Sequence, residues 1–482
     1  MDQRVDSLIR ERCYINGEWV GEPKLSVTNP ATGQEIAKVP LMGAKETKDA
    51  ITAAEAAFKT WSKTTAKERS SLLRKWYTLI IENADKIAAI MTAEQGKPLA
   101  EAKGEVVYAA NFIEFFAEEA KRVYGETIPT FKGDARVIVI KQPIGVVAAI
   151  TPWNFPAAMI TRKAGPALAV GCTVVCKPAS ETPLTALALA ELAHQAGIPK
   201  GVLNVITGKA NQIGGELTAN PAVRMLTFTG STEIGKVLIE QCAKTVKKVG
   251  MELGGNAPFI VFDDADLDKA LVGAMASKYR NAGQTCVCAN RIYVQDKVYD
   301  KFAEMLAAET AKLKVGDGSE AGITTGPLIN AAAVDKVEEH IADAVRHGAR
   351  IIAGGKRHKL GGNFFEPTVL ANVTQQMKVA REETFGPVAP LFRFKTDDEV
   401  IQMANDTEFG LASYFYSRDI GRVWKVAEAL DYGIVGINEG IISSEVVPFG
   451  GVKESGLGRE GSHHGIEEFL EMKYMLMGGI PS

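Results

Sequence analysis

Short apolar segments alternate with longer amphipathic ones from about residue 137 of this chain onward. The runs at 145–150 (GVVAAI) and 172–176 (CTVVC) have the composition of buried strands, and the segments between such runs have helical spacing. Strand–helix alternation at this interval is typical of a parallel, doubly wound sheet. We therefore predict strands at 136–140, 145–150, 172–176, 203–206, 225–228, 259–262 and 291–294, and helices at 156–169, 185–195, 232–247, 267–279, 298–313 and 334–347.

The alternating elements make two α/β bodies, which join near the glycine pair at 254–255. The first third of the chain is instead predicted to be helical. A capping box at 65–68 (TAKE) opens one helical run, and a second run at 106–124 carries three phenylalanines on one stripe, which indicates core packing. The tail from residue 448 is rich in glycine and is predicted to be an extension rather than a domain.

The composition excludes several classes of protein. Of 482 residues, 46% are hydrophobic and 23% are charged, which argues against a disordered or fibrous chain. Lys and Arg (55) nearly balance Asp and Glu (58), so we expect no nucleic-acid surface. The most apolar stretch, 165–176, contains Pro166 and is too short to span a membrane. Residues 1–17 are charged and lack an apolar core, so we expect a cytoplasmic rather than a secreted protein.

The six cysteines are too few for a disulfide framework, and in a reducing compartment they default to buried apolar side chains. Cys172 and Cys176 fit that interpretation, because they lie in an apolar run. Cys286 and Cys288 do not, because their context, GQTCVCAN, is polar and begins with glycine. The sequence has no CxxC pair and no HExxH motif, and the histidines at 463–464 follow a Gly-Ser turn, so we predict no metal site.

Three segments carry residue types suited to catalysis. Cys286 follows a glycine turn, where it is exposed enough to react and where amide dipoles can lower its pKa toward the thiolate. Glu252 lies in an apolar segment that runs into a glycine turn, and a buried carboxyl with a raised pKa suits a general base. Taken singly, an ordinary buried cysteine and a surface glutamate are the better interpretations.

The third segment, 151–156 (TPWNFP), lies just beyond a buried strand, at the edge where doubly wound folds bind their ligands. Asn154 stands there between two aromatic residues and two prolines. Such a residue offers a rigid amide, which is a plausible donor to an oxyanion.

Together, the segments 151–156, 251–258 and 279–286 resemble, in order and spacing, the signature segments of the NAD(P)-dependent aldehyde dehydrogenases. Glu252 and Cys286 are 34 positions apart, which is the usual interval in that family. Tyr279 stands where the cysteine signature usually has phenylalanine, and both are aromatic. The resemblance covers essentially the whole chain.

The resemblance implies a fold and a set of catalytic roles. The fold would have a Rossmann-type cofactor domain (1–121 and 143–254), an α/β catalytic domain (255–454) and a small β oligomerisation arm (122–142 and 455–482), in a homodimer or homotetramer. Cys286 would attack the aldehyde, Asn154 and the Cys286 backbone N–H would hold the oxyanion, and Glu252 would activate the water that hydrolyses the thioester.

The resemblance also implies a nicotinamide cofactor. The segment 228–235 joins a strand to a helix and carries two glycines, which by itself is a weak signal for a dinucleotide loop. Ser180 stands where NAD-preferring relatives often carry glutamate, and a serine can bond a 2′-phosphate that a carboxylate would repel. We therefore expect NADP as the preferred cofactor and NAD as a possible one. The cofactor-binding residues implied are Trp153, Lys177, Ser180, Gly230, Ser231, Gly235, Glu383 and Phe385.

Within the family, the segments 148–169, 280–291 and 448–462 resemble the members that oxidise succinate semialdehyde. The residues that bind the distal carboxylate would be Arg162, Arg280 and Ser443, since an arginine fork binds a carboxylate bidentately. We expect NADP-preferring oxidation of succinate semialdehyde to succinate. The alternatives are the longer glutarate semialdehyde, acyl transfer to coenzyme A, and an inactive member with a binding role.

Cys288 is a candidate redox partner of Cys286. Thiols two residues apart on a mobile loop could form a disulfide that protects an oxidised nucleophile. The alternative is that Cys288 is a small buried side chain pointing away from the site.

Overall fold

Four sheets organise the structure, a computed structural model that describes residues 7–480. Residues 1–6 of the predicted cofactor domain and residues 481–482 of the predicted arm lie outside the described part. In chain order, the strands are β1 Cys13–Ile15, β2 Glu18–Val20, β3 Pro23–Thr28, β4 Glu35–Pro40, β5 Glu126–Ile128, β6 Ala135–Pro143, β7 Val146–Ile150, β8 Thr173–Lys177, β9 Leu203–Val205, β10 Val223–Thr229, β11 Lys248–Glu252, β12 Ala257–Val261, β13 Ala289–Gln295, β14 Arg350–Ala353, β15 Thr368–Ala371, β16 Val388–Phe394, β17 Ala412–Tyr416, β18 Ile434–Ile437, β19 Gly456–Leu457 and β20 Leu470–Gly478.

The helices lie between the strands and cover the sheets. They are α1 Ala44–Trp61, α2 Ala66–Glu82, α3 Ala84–Gln95, α4 Leu99–Glu119, α5 Ala158–Val170, α6 Pro183–Gln195, α7 Ala210–Ala219, α8 Thr232–Ala243, α9 Leu267–Tyr279, α10 Asp296–Thr310, α11 Ala331–Arg346, α12 Lys378–Arg381, α13 Asp397–Asn405, α14 Ile420–Ala429 and α15 His464–Glu467, with short 3-10 turns at Ala120–Arg122, Arg280–Gly283 and Lys453–Ser455. The predicted capping box is confirmed, since Thr65 and Glu68 bond each other's backbone N–H at the start of α2.

The first large sheet has the strand order β19-β11-β10-β7-β8-β9-β1-β2. Its five central strands, β11 through β9 in that order, are parallel, which confirms the predicted doubly wound arrangement. The carboxyl ends of β7, β8, β10 and β11 are in register, with Ile150 opposite Lys177 and Thr229 opposite Glu252. Four of the predicted functional segments therefore begin at one edge of this sheet.

The second large sheet has the order β14-β15-β16-β13-β12-β17-β18, and all its pairs are parallel except the one at the β14 edge. The chain passes from β11 of the first sheet into β12 of the second through Gly254 and Gly255. A Cβ at Gly255 would lie 2.6 Å from the carbonyl oxygen of Cys286, so this crossing requires glycine. The crossing thus brings the loop before β13 next to the carboxyl edge of the first sheet.

A separate antiparallel sheet, β20-β6-β5, contains strands from the two segments predicted to form an arm. Strands β6 and β20 pair along their whole lengths, from Pro143 opposite Leu470 to Ala135 opposite Gly478. The structure differs from the predicted boundaries in one respect. Residues 456–457 form β19, which pairs with β11, because the chain crosses the edge of the first sheet before it reaches the arm.

The prediction that the first third is helical is wrong for residues 13–40, which form β1 to β4. Asn16 and Gly17 have φ of 52° and 80°, so they make the tight turn that joins β1 to β2, and this Asn-Gly signal could have been recognised in the sequence. Helix α8 ends at Ala243 and not at residue 247, because the chain turns there, with Val246 at a φ of 52°, before β11 begins at Lys248.

Four buried apolar clusters hold the sheets and helices together. Trp76, Phe112 and Phe116 are fully buried in the cluster that packs helices α2 to α6 on the first sheet, which confirms the predicted aromatic stripe. Cys172 and Cys176 belong to the same cluster, as predicted. In the described part of the chain, no helix combines the length and the apolar character needed to cross a membrane.

Candidate active site

The loop that carries Cys286 is held in an unusual backbone conformation. Asn281, Ala282 and Gly283 have φ of 51°, 55° and 76°, three consecutive residues in the left-handed region. A Cβ at Gly283 would lie 2.2 Å from a carbonyl oxygen, so only glycine fits there. The buried Gln284 side chain donates to the Asn281 carbonyl at 3.1 Å and accepts from the Ile329 N–H at 2.9 Å. These bonds fix the turn that presents Cys286.

Cys286 lines a cavity of about 300 Å³. Burial raises the pKa of its thiol to about 12, although the Arg162 charge acts in the opposite direction. The expectation of a lowered pKa is therefore wrong, because desolvation outweighs the nearby dipoles and cations. The thiol needs a base before it can act as a nucleophile.

Glu252 ends strand β11 and is 4% exposed, so the predicted burial of this carboxyl is confirmed. Burial raises its pKa well above the usual value, and the negative charge of Glu460 raises it further. Its Oε2 has no hydrogen-bond partner in the described part of the chain, and its charge acts on the Cys286 thiol. A carboxyl of this kind, once ionised, is a stronger base than an ordinary carboxylate and can accept a proton from a thiol or a water molecule.

Glu460 is a buried acid that sequence reasoning missed. Its Oε2 lies 2.8 Å from Arg162 Nε in an ion pair, and its Oε1 accepts a short hydrogen bond from Lys163. Burial alone would raise the pKa of Glu460, but Lys163 and Arg162 outweigh burial and lower it. Glu460 therefore carries the negative charge that keeps Glu252 protonated to a higher pH.

Asn154 is buried and held from several sides. Its side-chain Nδ2 donates to the Gln284 carbonyl at 3.1 Å, which ties it to the cysteine loop. Its backbone carbonyl accepts from Lys97 Nζ at 2.7 Å and from Asn281 Nδ2 at 3.2 Å. One N–H of the amide is thus engaged, and the second can serve an oxyanion.

The three predicted carboxylate-binding residues line the same cavity as Cys286. Arg162 is fully buried, its guanidinium lies 4.0 Å from the Phe449 ring centroid, and within residues 7–480 its Nη2 has no hydrogen-bond partner. Arg280 lies over the Phe155 ring at 5.3 Å. Two cations beside one apolar wall suit a ligand with an aliphatic body and an anionic end.

Helix α4 supplies a further part of the cavity wall that the sequence did not reveal. Glu101, Glu105 and Tyr108 line it, with Lys97 just before the helix. Their spacing follows one helix face, so the available signal was a polar stripe, which ordinarily indicates a solvent-facing surface.

The predicted cofactor residues lie along the carboxyl edge of the first sheet. Lys177 ends β8, is largely buried, and donates from Nζ to the Pro178 carbonyl at 3.0 Å, which leaves two donors free. Burial lowers its pKa, while the nearby Glu181 acts in the opposite direction. Ser180 is partly exposed three residues further on. A cation, a hydroxyl and a helix start at one edge fit an anionic dinucleotide.

The glycines of the segment 228–235 lie where a larger residue would displace a neighbouring side chain. A Cβ at Gly230 would lie 2.3 Å from the Phe228 ring, and one at Gly235 would lie 2.4 Å from Leu253. Ser231 caps α8 by accepting from the Ile234 N–H at 3.4 Å. The amide end of α8 is therefore left at the sheet edge, as an anion site needs.

Glu383 and Phe385 border the passage between the two sheets. Glu383 Oε1 accepts from the Gly255 N–H at 3.1 Å, and burial raises the pKa of this carboxyl to about 7 although that hydrogen bond lowers it. Phe385, with a φ of 54°, contacts Trp153 edge to face at 5.6 Å between ring centroids. The two rings make an aromatic boundary beside the cysteine loop.

Cys288 is fully buried, and its thiol donates to the Lys278 carbonyl at 3.4 Å. It does not line the cavity that Cys286 lines. This placement favours the interpretation that Cys288 is a buried structural side chain, and the disulfide with Cys286 stays a prediction. Within residues 7–480, no group of three or more His, Cys, Asp or Glu side chains is arranged to hold a metal ion.

Comparison with known proteins identifies the family. The family model described as "Aldehyde dehydrogenase family" matches residues 19–475. A succinate-semialdehyde dehydrogenase (NADP+) of Escherichia coli is 66% identical over 98% of this chain and 98% of its own length. A glutarate-semialdehyde dehydrogenase of Pseudomonas aeruginosa is also 66% identical, over 98% of this chain and 99% of its own length. A crystal structure of an E. coli NADP-dependent enzyme, 66% identical, superposes with a TM-score of 0.97 over 98% of this chain and 99% of that one. The chain belongs to the aldehyde dehydrogenase family.

Proposed function

We propose that this protein oxidises succinate semialdehyde to succinate with NADP as its preferred cofactor. The observation that carries the proposal is the presence of Arg162, Arg280 and Ser443 in the same cavity as Cys286. Two cations and a hydroxyl there suit an aldehyde with a distal carboxylate. The relatives named for succinate and glutarate semialdehyde are equally similar, so glutarate semialdehyde is the second candidate. The two substrates differ by one methylene, which a pocket discriminates by only ~1–3 kcal/mol.

The chain's own groups account for capture of the aldehyde. Glu252 takes the thiol proton as Cys286 Sγ attacks the carbonyl carbon, so that a C–S bond forms and the carbonyl electron pair moves to oxygen. The free N–H of Asn154 and the Cys286 backbone N–H hold that oxyanion. As the oxyanion electron pair re-forms the carbonyl, this carbon gives up a hydride, for which a bound nicotinamide would supply the acceptor, and a thioester to Cys286 remains.

Release of the acid again uses Glu252. Its carboxylate, once it has returned its first proton to solvent, takes a proton from water as the water oxygen attacks the thioester carbon. The C–S bond then breaks, and Cys286 leaves as a thiolate that is reprotonated. Because Glu252 is placed to activate water, we infer hydrolysis rather than acyl transfer to coenzyme A.

The cofactor would lie along the carboxyl edge of the first sheet. Lys177 and Ser180 would meet the adenosine ribose and its 2′-phosphate, and the start of α8 at Gly230 and Ser231 would face the pyrophosphate. Trp153, Glu383 and Phe385 would border the nicotinamide ribose and ring. NAD would bind with the same residues but without the phosphate contact.

We also propose the domain roles and the assembly. Residues 1–121 and 143–254 would bind the cofactor, 255–454 would carry the catalytic cysteine, and the β5–β6–β20 sheet would join two or four copies. On β20, Met472 and Tyr474 are 73% and 56% exposed, which is a large apolar surface for an edge strand. The six cysteines are unpaired, which fits a reducing cytoplasmic setting.

Absorbance of the reduced nicotinamide tests the proposal, with succinate semialdehyde and its uncharged analogue butanal as substrates. We expect turnover by the wild type, none by Cys286→Ala, and a selective rise in KM for succinate semialdehyde in Arg280→Ala, by about 10- to 100-fold for one desolvated charge-assisted contact. A Cys286→Ala variant that still turns over would remove the nucleophile. An equal loss on both aldehydes in Arg280→Ala would indicate damage at the cysteine loop.

A further inference from the structure

The hydroxyl of Tyr108 is a buried polar group with no hydrogen-bond partner among the described residues. Tyr108 projects from helix α4, and its ring packs edge to face on Phe112, with 5.0 Å between ring centroids. Buried polar groups are usually paired, because an unpaired donor loses its bond to water and gains nothing. An orphaned hydroxyl that a protein retains therefore needs an explanation.

The hydroxyl lies in the cavity that holds the cysteine. Tyr108, Arg162, Arg280 and Cys286 all line that cavity. Burial raises the pKa of the phenol, while Arg162 and Arg280 act in the opposite direction, so the group stays protonated and can donate. The nearby cations cannot accept its hydrogen bond, since a guanidinium has only donors.

A second orphaned donor lies at the same place. Among the described residues, the buried Arg162 Nη2 has no hydrogen-bond partner, whereas Arg162 Nε forms an ion pair with Glu460 at 2.8 Å and the guanidinium lies 4.0 Å from the Phe449 ring centroid. The ion pair and the ring fix the orientation of the arginine and leave the Nη2 nitrogen without an acceptor. One of these buried donors is neutral and the other is cationic. A ligand that pairs with both must bring acceptor oxygens and a negative charge.

We propose that Tyr108 is a specificity-determining residue whose hydroxyl donates a hydrogen bond to the distal carboxylate of the substrate, beside Arg162. The inference rests on the proposed function, because that function supplies the carboxylate. Tyr108 would act with Arg162, Arg280 and Ser443, and its hydroxyl would bind the anion without adding a further positive charge to the cavity. An uncharged aldehyde would gain nothing from it.

The test uses Tyr108→Phe, which keeps the ring on Phe112 and removes only the hydroxyl. We expect kcat/KM for succinate semialdehyde to fall by about 10- to 100-fold, and that for butanal to change by less than about twofold. Tyr124→Phe is the matched control, because Tyr124 is 69% exposed and lies outside the cavity. A thermal unfolding midpoint of Tyr108→Phe equal to or above that of the wild type would show that the hydroxyl is not needed for folding.

A second measurement needs neither cofactor nor turnover. Succinate should slow the alkylation of Cys286 by iodoacetamide, followed by mass spectrometry of that peptide, and Tyr108→Phe should need about tenfold more succinate for the same protection. Butanamide, which is uncharged, should act equally on both proteins.

The outcomes separate this inference from the proposed function. A wild type that does not oxidise succinate semialdehyde overturns the proposed function, while succinate protection of Cys286 still tests Tyr108. A wild type that does oxidise it, with a Tyr108→Phe variant of unchanged preference for the charged aldehyde, overturns the Tyr108 inference alone. A lowered unfolding midpoint with equal loss on both aldehydes also overturns it, because the hydroxyl would then have a structural role.

Discussion

Replacing Glu105 by glutamine should loosen the loop that carries Asn154. One oxygen of the Glu105 carboxylate pairs closely with Lys97, and the other accepts from the Ala157 N–H at 2.9 Å. Lys97 in turn donates to the Asn154 carbonyl at 2.7 Å. Glu105 thus connects α4 both to the start of α5 and, through Lys97, to Asn154.

The size of the effect follows from burial. The side chains of Lys97 and Glu105 are each 1% exposed, so neither can exchange its partner for water. A glutamine has one acceptor oxygen, and it can serve either Lys97 or the backbone N–H but not both. Breaking a buried pair costs about 3–5 kcal/mol, so we expect a loss near the lower end, about 3 kcal/mol, in the free energy of unfolding.

The loss should depend on pH. Burial lowers the pKa of Lys97 and the Glu105 charge opposes that shift, so removing the charge lowers the pKa further. A folded-state pKa below the unfolded value means that the unfolded chain binds more protons, and stability then rises with pH. The deficit of Glu105→Gln should therefore be present in full while Lys97 of the folded variant is charged and opposite an ionised carboxylate in the wild type, and it should shrink as the pH rises above the lowered pKa of Lys97.

The assay combines urea unfolding with steady-state kinetics. Glu105→Gln should lower both the urea midpoint and kcat, and the double variant Lys97→Met/Glu105→Gln should regain part of the stability, because no unpaired buried charge remains. Asp85→Asn is the control, since Asp85 pairs with the exposed Lys103 at 2.6 Å and should lose less than ~1 kcal/mol. An unchanged kcat and a loss no greater than that of the control would refute the reasoning.

Three further predictions concern single groups. The kcat should fall as the pH is lowered through the raised pKa of Glu252, because a protonated carboxyl cannot accept a proton from water, and a kcat that does not fall on acidification would contradict this. Ser180→Glu should lower kcat/KM for NADP more than for NAD, whereas equal losses would count against the 2′-phosphate assignment. After peroxide inactivation and reduction, Cys288→Ala should recover as well as the wild type, since the Cys288 thiol bonds Lys278, and poorer recovery would instead support a disulfide with Cys286.

The sequence predicted the elements whose periodicity is strong and local. Helix α9 has the predicted bounds, and the parallel strands β7 to β10 lie within three residues of their predicted positions, because buried strands and capped helices have compositional signals. Strands β1 to β4 were missed, since β1 is buried but only three residues long, and β2 to β4 are partly exposed and lack an apolar run.

The site was predictable only where residues fall within a recognisable segment. Cys286, Glu252 and Asn154 stand in such segments, and the structure brings them to one place. Glu460 and Tyr108 do not, because their roles depend on contacts between residues distant in the chain, such as the 297 positions that separate Lys163 from Glu460. The pKa of Cys286 was mispredicted for the same reason, since desolvation depends on the whole enclosure rather than on the neighbouring residues.

Glu252 serves the proposed cofactor site and the proposed catalytic base through separate atoms. Its backbone carbonyl accepts from the Gly230 N–H at 3.0 Å, which fixes the start of the cofactor loop, while its carboxyl lies buried toward Cys286. A Cβ at Gly450 would lie 2.9 Å from Glu252 Oε1, so a glycine there leaves the carboxyl its space. Substitution of the Glu252 side chain removes the proposed base but keeps the backbone carbonyl, and so it should impair both aldehyde capture and thioester hydrolysis while leaving cofactor binding intact. One residue would thus position the proposed cofactor loop through its backbone and move the proton through its side chain, and only the side-chain role is open to mutation.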